Sequence, residues 1–136
     1  MSELEFKNLK TGYENTLILE DNPARYEYLI GLLLSICGPI VKRIVITTTA
    51  KAAIDELSRD LTIMWGVIML DHDLDGQVYV VPANPNTGYQ VCKYIRDNGV
   101  KYDLCIIHTL NEFAAPKMIS ALQGTGRVIY KPCVDL

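Results

Sequence analysis

The feature that most constrains the fold is a regular alternation of short apolar segments with amphipathic segments. Residues 66–70 (GVIML) are apolar throughout, which is typical of a parallel strand that is covered on both faces. Shorter apolar or β-branched segments at residues 16–20, 43–47, 104–107 and 127–130 predict four more strands. Strands that alternate with helices predict βαβ units and therefore a parallel sheet.

Helices are predicted in the four intervals between these strands. Asn22 can cap the first helix, Pro23 fits its first turn, and Gly38 ends it. The other three are predicted over residues 50–59, 88–97 and 111–122, with a start near Pro116 as the alternative for the last. The connection between residues 71 and 87 is long for a compact domain, and connections of this length are often functional.

The composition predicts a single domain. The chain has 136 residues, of which 49% are hydrophobic, so it can bury a continuous core. We expect an N-terminal arm at residues 1–15 and one domain at residues 16–136. A net charge of −3 argues against nucleic acid and anionic membranes as partners. No secretory signal or membrane span is predicted, and four cysteines without a C-x-x-C pair predict reduced thiols in a cytoplasmic protein.

Polar and charged residues follow the predicted strands. In an open parallel sheet, ligands bind beyond the carboxyl ends of the strands. The residues at or just after these ends are Glu20, Asp21, Asp71, His72, Asp73, His108, Thr109, Asn111 and Lys131. Three carboxylates, at 20, 21 and 71, would repel one another unless a hard cation neutralised them, which predicts Mg²⁺ or Mn²⁺. Lys131 and Thr109 could then contact phosphoryl oxygens.

Simpler structural roles remain open for several of these residues. Acids at strand ends also occur merely because loops are solvated. Either histidine could be a structural residue that bonds the backbone. Arg25, one turn into the first helix, is either a phosphate or carboxylate binder or a surface charge. Asp73 and Asp75 precede Gly76 and could serve a turn.

The order of these residues resembles the response-regulator receiver pattern. The pattern has paired acids after the first strand, an aspartate after the third, a hydroxyl after the fourth and Lys-Pro after the fifth. The resemblance implies a three-layer α/β fold, with a five-stranded parallel sheet of order 2-1-3-4-5. This is the flavodoxin-like receiver fold, here lacking the last helix. Because that helix would otherwise cover part of the sheet, we expect either the N-terminal arm, with Leu4, Phe6, Leu9 and Tyr13, or a second copy of the chain in a homodimer to cover this face.

The resemblance also implies residue roles. Asp71 would be the phosphoacceptor, and Glu20, Asp21 and Asp71 would hold the metal with the backbone carbonyl of Asp73. Lys131 would contact the phosphoryl group and precede a cis peptide bond to Pro132.

A closer resemblance is to the cyclic-phosphate-processing receiver subgroup. Its motifs are matched by LDHDL at residues 70–74, TGY at residues 87–89 and HTLN at residues 108–111. It implies that His72 or His108 acts as a general acid or base and that Asn111 orients a phosphate or water. Thr87, Arg25 and Lys131 are predicted to bind substrate, with Asp71 and Thr109 among the catalytic residues.

Three functions fit the sequence. The first is a metal-dependent phosphoesterase acting on a cyclic or terminal phosphate ester, with a phosphate-containing small molecule as partner. The second is a signalling receiver phosphorylated on Asp71 by a small phosphodonor or a histidine kinase. The third is a degenerate scaffold that pairs with another protein. The retained charges argue against the scaffold, because uncompensated buried acids cost stability.

Overall fold

The computed structural model describes residues 15–37, 41 and 43–132. Strands and helices alternate along these residues. In chain order they are β1 Asn15–Leu19, α1 Pro23–Cys37, β2 Arg43–Thr47, α2 Ala50–Ser58, β3 Met64–Leu70, α3 Gly88–Asn98, β4 Lys101–Ile107, α4 Ala115–Ala121 and β5 Arg127–Tyr130. Residues 1–14 of the expected N-terminal arm, together with Gly38 and Cys133, lie outside the described residues.

The five strands form one parallel sheet of order β2-β1-β3-β4-β5, so the predicted fold and strand order are confirmed. The last residues of the strands are in register: Leu19 pairs with Thr47 and Leu70, Leu70 with Ile107, and Ile107 with Tyr130. The carboxyl ends therefore share one edge, as the sequence interpretation requires.

Hydrogen bonding continues one residue past the strands at this edge. The backbone N–H groups of Glu20, Asp71, His108 and Lys131 donate to carbonyls of the neighbouring strands at 2.9–3.0 Å. These four residues are therefore held in one row by the sheet itself. Their backbones are fixed before any side-chain contact is considered, and a rigid sheet edge is a precise support for a functional site.

Helices cover both faces of the sheet. On one face, α2, α3 and α4 enclose a core that includes Leu57, Trp65 and Met118. On the other face, α1 contributes Leu29 and Leu33 to a smaller core. All but the first residue of β3 are buried, because this strand lies in the middle of the sheet and is covered on both sides.

Two details differ from the sequence expectations. Helix α4 begins at Ala115 rather than at residue 111, in agreement with the alternative start near Pro116, because the Asn111 side chain accepts the backbone N–H groups of Phe113 and Ala114 and holds a turn there. The prediction of a cis peptide bond before Pro132 was wrong, since the residues that the structure describes contain no cis peptide bond. A trans bond is the lower-energy isomer unless contacts favour the other. No helix in the described ranges is long and apolar enough to cross a membrane.

Candidate active site

A cleft of about 750 Å³ opens above the carboxyl edge of the sheet. Several predicted site residues line it: Asp21, Arg25, Asp71, Asp73 and Thr109. The wall also includes Asn22, Thr48, Thr49, Gly76, Val78 and Leu110. The cleft contains four aspartates and one arginine, so an anionic ligand would need an added positive charge to enter.

Beneath the cleft lies a buried cluster of Glu20, Asp71 and His108. Their exposed fractions are 0%, 3% and 2%. His108 Nε2 lies 3.2 Å from Glu20 Oε1, and one potential ligand atom from each residue lies within 4.8 Å of the others. Two carboxylates and an imidazole at this spacing could share one divalent cation. The sequence predicts acid–base chemistry for His108 but does not single it out as a candidate metal donor, although its position after β4 was the available signal.

Burial shifts the pKa values within this cluster. The pKa of Asp71 is raised to about 7, mainly by desolvation and also by the nearby Glu20 carboxylate, while His108 and Thr109 oppose the shift. Desolvation also raises the pKa of Glu20. The pKa of His108 falls to about 4 for the same reason, so the imidazole is neutral at physiological pH. The contact between His108 and Glu20 is therefore a hydrogen bond rather than an ion pair.

The second ring nitrogen of His108, Nδ1, is buried and has no hydrogen-bond partner among the described residues. An unsatisfied buried polar atom costs about 1–3 kcal/mol. Among the described residues, no lysine or arginine forms an ion pair with the two buried carboxylates, so the cluster offers donors suited to a cation. The residues present therefore fit a divalent cation held by Glu20, Asp71 and His108.

The pKa of Asp71 leads to a pH-dependent prediction. Below about pH 7 a cation must displace the Asp71 proton, so its affinity should fall about tenfold per pH unit. Adding Mn²⁺ should therefore raise the melting temperature more at about pH 8 than at about pH 6. Thermal unfolding at both pH values measures this. Asp55→Asn, at an exposed carboxylate paired with Lys51, is the control and should keep the wild-type response. Equal Mn²⁺ effects at the two pH values would contradict the assignment.

The other two predicted metal ligands contact loop backbone. Asp21 Oδ2 accepts the Gly76 N–H at 2.8 Å. The Asp73 carboxylate accepts the N–H groups of Tyr79 and Val80 at 2.8 and 3.0 Å. Both residues line the cleft, but neither carboxylate belongs to the compact three-residue cluster. Metal binding by Asp21 and by the carbonyl of Asp73 stays a prediction.

His72 lies on the opposite side of the strand end and is fully buried. Its Nδ1 accepts the Tyr89 N–H at 3.2 Å, and its Nε2 lies 2.8 Å from the Val80 carbonyl. These partners require a proton on Nε2 and none on Nδ1. Desolvation lowers the pKa of His72, which keeps this neutral form. Both ring nitrogens are thus engaged in holding the 71–87 connection, and neither is free to exchange a proton with a substrate.

The TGY motif packs the start of α3 against the cluster. Thr87 is fully buried, does not line the cleft, and donates its hydroxyl to the Asn84 carbonyl at 2.8 Å. A Cβ on Gly88 would lie 1.8 Å from the Asp71 carbonyl oxygen, which no side chain can tolerate. The Gly88 N–H also donates to the His72 carbonyl. The motif therefore positions the backbone of Asp71.

Asn111 is buried, and both ends of its amide are used. Its Nδ2 donates to Asp73 Oδ1 at 3.1 Å and to the Val80 carbonyl at 3.3 Å. Its backbone N–H donates to the Thr109 hydroxyl, which also hydrogen-bonds Asp71 and lowers its pKa. Asn111 thus connects the cluster, through Thr109, to the loop that walls the cleft.

The two predicted cationic residues are placed differently. Arg25 lines the cleft, and its charge lowers the pKa of Glu20. Lys131 lies in the backbone row at the edge but does not line the cleft. Within the described part of the chain, no ion pair joins Lys131 to Asp71. Phosphate contact by Lys131 stays a prediction.

The fold and the strand-end acids define a receiver domain, and solved structures agree. The chain is similar to the signal receiver domain of a LuxO repressor protein from Vibrio parahaemolyticus, with 20% identity, a TM-score of 0.58, and 90% and 81% of the two chains covered. It is also similar to the RcsB receiver domain from Salmonella enterica serovar Typhimurium with phosphomimetic BeF₃⁻ (20%, 0.58, 88% and 78%). The MaeR response regulator bound to beryllium trifluoride is 21% identical, with a TM-score of 0.54 and with 79% of this chain and 77% of that chain covered. At these identities the likeness shows the fold.

A family model defines the group more closely. The model of the cyclic-phosphate processing receiver domain matches residues 15–124, which is most of the chain, so the protein belongs to this family. The subgroup resemblance of the three motifs is thereby confirmed. A comparison with curated proteins found no match.

Proposed function

We propose that this domain hydrolyses a cyclic or terminal phosphate ester with a divalent cation held by Glu20, Asp71 and His108. The observation that carries the proposal is the buried imidazole beside two buried carboxylates, directly below the cleft. The description of the family supports this reading. A histidine in the donor set suits Mn²⁺ better than Mg²⁺, since imidazole favours transition metals.

The remaining polar groups of the cleft have roles toward the phosphate. When bound, the cation supplies positive charge for the phosphate and lowers the pKa of water. Arg25 lines the cleft, and its guanidinium group can bind two phosphoryl oxygens in bidentate geometry. The Thr109 hydroxyl can donate to another oxygen. Residues of the 71–87 connection form one wall of the cleft.

The reaction consumes one water per ester bond. The water oxygen forms a bond to phosphorus, and one phosphorus–oxygen ester bond breaks. One proton of the water goes to the released hydroxyl group, and the other stays on the phosphate product. A cyclic diester thus opens to a monoester, and a terminal monoester releases inorganic phosphate.

The test is turnover of adenosine 2′,3′-cyclic phosphate with Mn²⁺, followed by ³¹P NMR. We expect the wild type to produce a monoester, and His108→Gln to lose about 10²-fold or more in rate, since a ligand is removed. Glutamine keeps an amide near the position of Nε2 and its bond to Glu20. The surface variant Asp55→Asn should retain full activity.

A second function is favoured by the place of Asp71. Its carboxylate lines the cleft at the end of β3 beside Thr109, as expected of a receiver phosphoacceptor. Two of the similar structures hold beryllium trifluoride, which one of them describes as phosphomimetic. Intact mass after incubation with Mg²⁺ and acetyl phosphate tests this alternative. A phosphoryl adduct on the wild type, absent from Asp71→Asn, without hydrolysis of the cyclic ester, would replace the enzyme proposal with a signalling receiver served by a phosphodonor or histidine kinase.

A further inference from the structure

Two aromatic side chains stand exposed beside the cleft. Tyr79 is 68% exposed and Phe113 is 78% exposed. Their ring centroids are 6.4 Å apart and their planes meet at 61°. We call this pair the aromatic rim. It is continuous with the cleft, because the neighbouring Val78 and Leu110 belong to the cleft lining.

The backbone at the rim is held in an unfavourable conformation. Tyr79 has φ 53°, in the left-handed region that residues with a side chain rarely adopt. The Asp73 carboxylate maintains it by accepting the N–H groups of Tyr79 and Val80. Strained positions persist when the surroundings over-determine them, and they cluster at ligand-binding sites.

A single buried side chain connects the two halves of the rim. Asn111 donates to Asp73, which holds Tyr79, and accepts the N–H of Phe113 at 3.1 Å. The backbones that carry the two rings are thus held by the buried Asn111 and the half-buried Asp73, although the rings themselves lie in solvent. Core packing does not explain this arrangement, because the rings are mostly exposed. A ligand gains from it, because a preorganised surface loses little freedom on binding.

We propose that the aromatic rim stacks the base of a small nucleotide whose phosphate lies over the buried cluster. This inference rests on the proposed function and names its substrate class. Edge-to-face rings leave ring faces open, and every nucleobase offers a planar face for stacking. Asp73 both lines the cleft and accepts the backbone N–H of Tyr79, so one residue contacts the cleft and the rim. A cleft of about 750 Å³ suits a ligand of this size.

The charges favour a small nucleotide over a nucleic-acid chain. The protein has a net charge of −3, and four aspartates line the cleft. Each further phosphate of a polymer would meet these carboxylates without a cation of its own. A small nucleotide needs one cation site for its phosphate and one stacking surface for its base, and the buried cluster and the aromatic rim supply these two.

Calorimetry with Mn²⁺ can separate the base from the phosphate. The probes are adenosine 5′-monophosphate and ribose 5-phosphate, which share the sugar phosphate and differ in the base. We expect the wild type to bind the nucleotide about five- to a hundredfold more tightly, the range for one stacked base. Phe113→Ala and Tyr79→Ala should remove most of this difference and leave ribose 5-phosphate affinity unchanged. Phe113→Trp should restore it.

Tyr28→Ala is the matched control, since Tyr28 is 44% exposed on α1 outside the cleft lining. It should keep the preference for the nucleotide. Equal binding of the two probes by the wild type would overturn the rim inference and leave the proposed function standing, with the apolar rim then free to contact a protein. Equal loss of both probes in the rim variants would also overturn it. Failure of both probes to bind the wild type would overturn the inference together with the proposed function.

Discussion

Asp71→Asn is expected to yield a folded protein that, without metal, is more stable than the wild type at about pH 8. Asp71 is buried, and its pKa rises from 3.8 to about 7 in the fold. Each tenfold change in the acid dissociation constant of Asp71 corresponds to about 1.4 kcal/mol. Holding the ionised carboxylate in the fold therefore costs up to about 4 kcal/mol of folding free energy. Asparagine is nearly the same shape and has no charge to desolvate.

The sign of the pH dependence distinguishes this cause from a packing effect. The folded wild type keeps the Asp71 proton between about pH 4 and pH 7, whereas the unfolded chain releases it. The Asp71 contribution is therefore fully present below about pH 4 and is lost as the pH rises through about 7. His108 contributes with the opposite sign, because desolvation lowers its pKa, and Asp71→Asn removes the Asp71 charge that partly raises that pKa.

Urea unfolding of both proteins across this pH range measures the difference. We expect the advantage of Asp71→Asn to grow with pH up to about 7 and then to level. The variant should also lose the Mn²⁺ stabilisation and the hydrolysis of the cyclic ester. An advantage that does not change with pH would show that the carboxylate is not desolvated as described. An Asp71→Asn protein that fails to fold would assign Asp71 a structural role.

Gly88→Ala is expected to destabilise the fold by about 3 kcal/mol or more, because overpacking against backbone cannot relax easily. The added methyl would lie 1.8 Å from the Asp71 carbonyl oxygen and 2.8 Å from the Met118 side chain. Relief requires α3 to move away from β3, which also displaces Asp71. Urea unfolding measures the loss, and the Mn²⁺ response should weaken in any folded fraction.

Gly31→Ala is the matched control for this change. Gly31 lies within α1, and a Cβ there would meet no atom within 4 Å. Alanine should stabilise the helix by about 0.5–1 kcal/mol, because it loses less conformational freedom than glycine. A Gly88→Ala protein as stable as the wild type would mean that the approach of α3 to Asp71 is looser than described.

Much of the fold could be predicted because its signals are local. Apolar strands and helix-capping residues gave the element order, and β2 and β5 match the expected bounds. Strands β3 and β4 begin earlier than expected, at Met64 and Lys101, because pairing with each other extends them past their apolar centres. The start of α4 depends on which backbone groups the Asn111 side chain accepts, a choice that sequence alone does not determine.

The candidate site could be predicted in its location but only partly in its internal contacts. Parallel strands place Glu20, Asp71 and His108 at one edge, and this follows from topology. Which side chains face the cleft depends on pleat and loop path. Those details gave His72 two backbone partners and left Lys131 away from the cleft. The two backbone contacts of His72 agree with the structural role that the sequence left open for this residue.

The loop that walls the cleft is held by its main chain. His72 and Asn111 both contact the carbonyl oxygen of Val80. The Asp73 carboxylate accepts the backbone N–H groups of Tyr79 and Val80. None of these anchors depends on which side chains occupy positions 78–81, where Val78, Tyr79 and Val81 project into solvent. We expect substitutions there to alter the surface beside the cleft while the carboxyl edge of the sheet keeps its geometry. Such separation of recognition from support lets one scaffold acquire new specificities through few mutations.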